Sequence, residues 1–248
     1  MSRDAGEILR SGSNLKAPTH VLFDFFGTLV HYDPSHVSQQ GHERSFGLLQ
    51  SAGADLDYEQ FCLSWRAIFD EFNEAAEQSH REFSIIELVS TFLHRTMGEA
   101  RETLIHDFIQ AYISEWNQGV QYIDGLSEML TRLHERFTLA VITNTHDPDL
   151  VPNHLTRMGV SSLFSCLVTS VEFGARKPAP DIFSHTLDKL QASAEQCLYV
   201  GDNYHADYLG ATAASLSALL IDPLRKTPIT HANRLASILD LERYLDIP

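Results

Sequence analysis

The sequence predicts an α/β protein: a doubly wound parallel sheet with a smaller, all-helical module inserted after its first strand. Three observations predict it. An apolar run, His20 to Phe23, stops on Asp24 and then Gly27, as a buried parallel strand does when it delivers a carboxylate to the crevice at its C-terminal end. Residues 34–117 then carry helical periodicity with little strand signal. After Gly119, strand-length apolar runs alternate with helical patterns of roughly 10 to 15 residues, which implies right-handed crossovers and a parallel sheet.

Taken in order, residues 1–16 mix charged, Gly and Ser residues and read as a polar tail without the apolar centre of a secretory signal. Ala17-Pro18 leads into the first strand. In the insertion, Phe61, Cys62, Trp65, Ile68, Phe69 and Phe72 recur at i, i+1, i+4, i+7, i+8 and i+11, one stripe of an amphipathic helix. Further helices are expected over 36–51, 84–97 and 101–117, with Gly53 and Gly98 near the breaks. Where exposed, the aromatic stripe would offer a homodimer contact. Beyond it, helix 126–136 leads to strand 139–143, helix 149–158 to strand 166–170, helix 181–190 to strand 197–200, and helix 205–215 to strand 219–221. The core is therefore discontinuous, 17–33 with 118–248, and the helical module is 34–117. An eight-stranded barrel would need strands from 34–117 that its pattern does not supply.

Of 248 residues, 18 are Lys or Arg and 33 Asp or Glu, a formal charge of −15. Such a surface opposes nonspecific binding to nucleic acid or to anionic lipid, and no run approaches the roughly 18 apolar residues of a membrane span. A small anionic substrate needs only a local positive site and stays compatible. Cys62, Cys166 and Cys197 lie far apart in apolar surroundings without a CxxC or Cys/His spacing, so buried reduced thiols and a cytoplasmic location are expected.

Candidate chemistry gathers at the strand ends. The chain reads Val-Leu-Phe-Asp24-x-x-Gly-Thr28, then Val-Ile-Thr143-Asn144, then Lys177-Pro178, then Val-Gly-Asp202 with Asp207 five residues on. Any one Asp at a strand end is as readily a helix cap or turn residue. Together and in this order, the four motifs resemble those of the haloacid dehalogenase-like hydrolase superfamily, over residues 19 to about 222. The resemblance implies a Rossmann-like core with a mobile helical cap inserted after the first motif. It implies Asp24 as a nucleophile that splits one displacement into two steps through a covalent intermediate. Lys177 and a divalent cation would supply the positive charge that a phosphate dianion requires, while Thr143 and Asn144 bind substrate with Lys177. Mg²⁺ would be held by Asp24, Asp202 and the main-chain carbonyl of Phe26, with Thr28 and Asp207 supporting.

Position 26 departs from the pattern. Phosphatases of the superfamily usually carry there a second Asp, which protonates the leaving oxygen and later activates water; general acid–base help of this kind is worth roughly 10²–10⁴-fold. Phe26 cannot supply it, and His31, His146 and His205 are near enough in sequence to be substitutes. The resemblance thus leaves three readings: a Mg²⁺-dependent phosphatase with atypical acid–base chemistry, a 2-haloacid dehalogenase-like enzyme, or a non-hydrolytic or binding protein. Halide leaves without a proton, which suits an aromatic residue at 26. Asp202 beside Asp24 and Asp207, however, favours a metal and the phosphatase reading.

Overall fold

The computed structural model describes residues 17–33, 41–99 and 101–247. The expected tail 1–16 and the first residues of the expected helix 36–51 lie outside the described residues. Strand β1 (His20–Phe23) is followed by a short β2 (Val30–Tyr32) and then by helices α1 (Glu43–Ser51), α2 (Tyr58–Ser79), α3 (Ile85–Met97) and α4 (Glu102–Trp116). Next come β3 (Val120–Tyr122), α5 (Leu126–His134), β4 (Thr138–Thr143), α6 (Leu150–Arg157) and β5 (Phe164–Thr169). The chain continues through α7 (Ser170–Phe173), α8 (Pro180–Leu190), β6 (Cys197–Gly201), a π-helical segment Tyr204–Leu209, α9 (Gly210–Ala213), β7 (Ser217–Ile221), β8 (Arg234–Leu235) and α10 (Leu241–Tyr244).

Six parallel strands form the sheet in the order β5-β4-β1-β6-β7-β8. β1 is the switch point: the chain builds outward from it on one side through β4 and β5, then returns and builds on the other. A strand buried on both faces sorts its side chains by a period of two. Val21, Phe23, Leu139, Val141, Leu198 and Val200 pack in one core on one face, while Leu22, Ala140, Ile142, Cys197 and Tyr199 pack in a second on the other.

The inserted helices have a third core of their own, centred on Leu49, Phe61, Trp65, Ile68, Phe92, Phe108 and Tyr112. The α2 stripe faces this core; Phe61 is fully buried and Trp65 only 5% exposed. Capping boxes start α2 (Asp57 with Gln60) and α3 (Ser84 with Glu87), and Gly98 ends α3 in the left-handed conformation. At the base of the insertion β2 and β3 pair antiparallel, and Asp33 N–H donates to Gly119 O at 2.9 Å. A Cβ on Gly119 would lie 2.9 Å from Asp33 O, which is why glycine stands there.

Several expectations change. The 205–215 helix is a π-helical segment running into one short turn of α-helix, and β2, β3 and β8 are strands too short and polar for periodicity to reveal. Cys197 is buried, whereas Cys62 and Cys166 are only partly so; all three are unpaired. Among the described residues no helix is long and apolar enough to cross a membrane.

Candidate active site

Asp24 and Asp202 follow the C-terminal ends of β1 and β6 and Thr143 is the last residue of β4, the three strands at the switch point, so the sheet itself gathers them. Lys177 arrives from the loop between α7 and α8. Asn144 holds that loop: its side-chain amide donates to Lys177 O (3.0 Å) and its carbonyl oxygen accepts from Lys177 N–H (2.8 Å). The Lys177 ammonium, 3% exposed, donates to Asp24 Oδ1 at 2.7 Å, Asp207 Oδ1 at 2.6 Å and Tyr199 Oη at 2.8 Å. Asp207 is fixed in turn by the backbone N–H groups of Asp202 and Asn203, at 3.2 and 2.9 Å. It stands on the π-helical segment, whose first turn is capped by Asn203.

Asp24, Asp202 and Asp207 each offer a carboxylate oxygen, all within 4.8 Å of one another. One ammonium against three carboxylates leaves an excess of negative charge. Burial, together with Asp207, outweighs Lys177 and raises Asp24 to about 6; loss of water, then Asp24 and Asp207, raises Asp202 to about 7. In Lys177 burial works to lower the pKa, but Asp207 and Asp24 outweigh it and hold it above the ordinary lysine range. This donor set, hard oxygens with unbalanced charge, fits a divalent cation. The backbone makes room for it: a Cβ on Gly27, at φ +85°, would lie 2.2 Å from Asp202 Oδ2. The hydroxyls of Thr28 and Thr143 are buried and have no hydrogen-bond partner among the described residues. Buried hydroxyls left without a partner beside such a site suit the oxygens of an anion.

All the residues singled out in the sequence, Asp24, Phe26, Thr28, Thr143, Asn144, Lys177, Asp202 and Asp207, lie on these converging segments. Tyr199 escaped the motifs. The signal was present, however, since a tyrosine inside the apolar run Cys197–Gly201 must find a partner for its hydroxyl, and here that group donates toward Asp207 Oδ1 (3.0 Å) or Ile142 O (3.2 Å). The Phe26 ring packs edge-on against Phe25 and Trp116, at 4.9 and 5.0 Å between centroids, and so joins the sheet to the end of α4.

Beside Phe26 lies a cavity of about 150 Å³, walled by Phe69, Ile85, Tyr112 and Trp116 from the helices and by Asn144, His146 and Asp147 from the loop after β4. Of the three candidate histidines, only His146 lines this cavity. His31 is exposed on β2 and His205 is exposed on the π-helical segment.

Residues 57–221 match the family described as haloacid dehalogenase-like hydrolase, two thirds of the chain and every motif residue except those around Asp24. The chain belongs to that family. This hydrolase is 28% identical over 232 residues to ribulose-1,5-bisphosphate 5-phosphatase of Halopiger xanaduensis, covering 92% of this chain and 95% of the relative. In fold it is similar to the 2-haloacid dehalogenase of Pseudomonas syringae pv. Tomato (TM-score 0.72, 21% identity, 92% of this chain and 98% of that one). It is also similar to YfnB of Bacillus subtilis bound to magnesium (TM-score 0.63, 22% identity, 94% and 100% covered). The hydrolase is thus an enzyme, and its fold is shared by solved proteins named as a dehalogenase and as a HAD phosphatase alike.

Proposed function

We propose that this enzyme is a Mg²⁺-dependent phosphatase that hydrolyses a small phosphate monoester through an aspartyl-phosphate on Asp24. The observation that carries the reading is the trio of clustered carboxylates with a single ammonium, bonded to two of them, an arrangement that stores negative charge where a dehalogenase would have to admit a carboxylate substrate. The name of the Halopiger relative supports phosphoryl chemistry, and the magnesium on YfnB supports the metal.

Asp24 and Asp202, with the Phe26 carbonyl, would hold Mg²⁺, which when bound neutralises these carboxylates and the phosphoryl oxygens. Lys177 fixes one oxygen of Asp24 and balances charge as the carboxylate attacks phosphorus. Asp207 and Tyr199 hold Lys177 in place. Thr143 and Thr28 donate to the phosphoryl oxygens, which accept from hydroxyls that have no other partner among the described residues. The inserted helices act as a cap that closes the site against water.

Carbon–halide hydrolysis is the second reading, favoured by Phe26, because halide departs unprotonated. The two separate on product: Mg²⁺-dependent phosphate release from an aryl phosphate against metal-independent halide release from a 2-haloacid. On the phosphatase reading Asp24→Asn abolishes phosphate release and keeps the folded circular-dichroism spectrum; more than a few per cent of residual activity removes Asp24 as the nucleophile.

A further inference from the structure

The phosphatase reading leaves a proton unassigned, since Phe26 has none to give. We infer that His146, oriented by Glu82, is the general acid and base of this enzyme, serving a small, uncharged, largely apolar leaving group seated in the cavity beside Phe26. The inference rests on the phosphatase reading and goes beyond it.

Glu82 belongs to the segment between α2 and α3, and its side chain is fully buried. Its Oε1 lies 3.1 Å from His146 Nδ1 and its Oε2 accepts from Ser170 Oγ at 2.6 Å, with Arg176 Nε at 3.5 Å. Burial alone would raise its pKa, yet His146, Arg176 and Ser170 outweigh burial and keep it below the usual carboxylate range, so it is an anion at neutral pH. An anion on Nδ1 fixes that nitrogen as the N–H and leaves Nε2 as the site where a proton comes and goes. Nε2 has no hydrogen-bond partner among the described residues, and the ring is 21% exposed in a wall of the cavity.

The ring is held on both sides. It stacks on Phe83 at 4.0 Å between centroids, interplanar angle 14°, and meets Phe69 edge-on at 5.5 Å. Its backbone is pinned as well, since His146 O accepts from Ile85 N–H at 2.8 Å and the preceding Thr145 N–H donates to Ser170 Oγ at 2.9 Å. His146 is three residues past Thr143, on the loop that follows β4, whose last residue carries the unpartnered hydroxyl proposed to bind the phosphoryl group. A buried carboxylate, an oriented imidazole with one free nitrogen, and a cavity that this ring and Phe26 both line are the parts a general acid–base site requires.

The same cavity sets the substrate class. Among its lining residues Phe26, Phe69, Ile85, Tyr112 and Trp116 are apolar or aromatic, none is Lys or Arg, and Asp147 is acidic. A second phosphate or a carboxylate on the leaving group would find no Lys or Arg there, and the one cation, the His146 imidazolium, gives up its charge with its proton. About 150 Å³ suits a group the size of a benzyl or short alkyl alcohol.

The steps balance. As an Asp24 oxygen bonds to phosphorus and the bond from phosphorus to the leaving oxygen breaks, that oxygen takes the proton from protonated His146 Nε2. Neutral Nε2 then takes a proton from water as the water oxygen bonds to phosphorus and the Asp24–phosphorus bond breaks. Alcohol and phosphate leave, and both residues return to their starting states.

The test compares kcat/KM for 4-nitrophenyl phosphate, whose leaving group departs readily as an anion, with that for benzyl phosphate, whose alkoxide needs a proton. In His146→Gln the ratio of the two rises by about 10²-fold over wild type, because only the second ester loses its acid. Glu82→Gln, acting through position, raises the ratio in the same direction by less. His31→Gln and His205→Gln leave it where it is. Equal losses on both esters in a folded His146→Gln would show a structural role and overturn the inference while leaving the phosphatase reading intact. Should that variant not fold, the wild-type enzyme decides: a shallow dependence on leaving-group basicity supports an acid at the site, and a steep one overturns it. Wild-type enzyme with Mg²⁺ that releases phosphate from neither ester sinks the underlying reading and this inference together.

Discussion

At the scale of single residues, the candidate site is built around one buried ammonium. Lys177 Nζ is within 2.8 Å of Asp24, Asp207 and Tyr199 at once, so its charge is the protein's own counterweight to two buried carboxylates. Removing one member of such a group leaves the others uncompensated, which typically costs about 3–5 kcal/mol. Lys177→Met is therefore expected to lower the unfolding free energy at neutral pH by roughly that amount, read by urea denaturation; a loss under about 1 kcal/mol would mean that the carboxylates rearrange or protonate at little cost. Gly201 matters for a steric reason. A Cβ there would fall 2.4 Å from Asp207 Cγ, so Gly201→Ala must push Asp207 away from Lys177. The expected outcome is about 1–3 kcal/mol of lost stability together with a fall in kcat, and normal turnover in that variant would separate Asp207 from the positioning of Lys177. Asp24, Lys177 and Asp202 were legible in the sequence because each stands beside a strand end or a proline that marks it, and Asp207 by its spacing of five residues from Asp202. Tyr199 and Glu82 were not: a tyrosine in an apolar strand signals that its hydroxyl needs a partner without saying which, and nothing local distinguishes a glutamate in a polar segment from its neighbours.

Elements place those residues, and here local pattern succeeds in some stretches and fails in others. β1, β4 and β6 are continuous apolar runs, which only a strand buried on both faces explains, and the structure agrees with the sequence within a residue or two. The π-helical segment Tyr204–Leu209 reads as ordinary helix in sequence, yet it must present Asp207 back to the Asp202 and Asn203 backbone, a demand set by the site and not by periodicity. At the far edge of the sheet, the turn after β7 is organised by Asp222, which accepts from Lys226 N–H, Thr227 N–H and Thr227 Oγ1 and lies 3.4 Å from Arg234 Nε. The Thr227 hydrogen bond leads the effects that hold it down to about 2. A depressed carboxylate stabilises the fold above its unfolded value of 3.8 and loses that contribution as pH falls from there through about 2. Asp222→Asn should therefore be less stable than wild type at pH 6, with the gap closing toward pH 2 in an acid titration of the thermal midpoint. A gap that stays constant would show that the charge contributes nothing.

The molecule as a whole brings an acidic chain to a point where acidity is useful. With a net charge of −15 and three carboxylates within 4.8 Å, a divalent cation binding the folded state alone should stabilise it by RT ln(1 + [L]/Kd), about 2.7 kcal/mol at a hundredfold excess over Kd. Mg²⁺ is expected to raise the thermal midpoint of the wild type and not of Asp202→Asn; equal shifts in both would place the cation elsewhere. By itself the sequence determined the sheet, the helical insertion and the order of the motif residues, since helical and strand periodicities and strand-end carboxylates are properties of short stretches of chain. Only the tertiary structure brought together the pair inferred to replace the acid absent at Phe26. Glu82 meets His146 across 64 residues of sequence, one on the inserted helices' side and one on the sheet's. Such a pair is set by how two separately cored units pack together, and no local spacing encodes that.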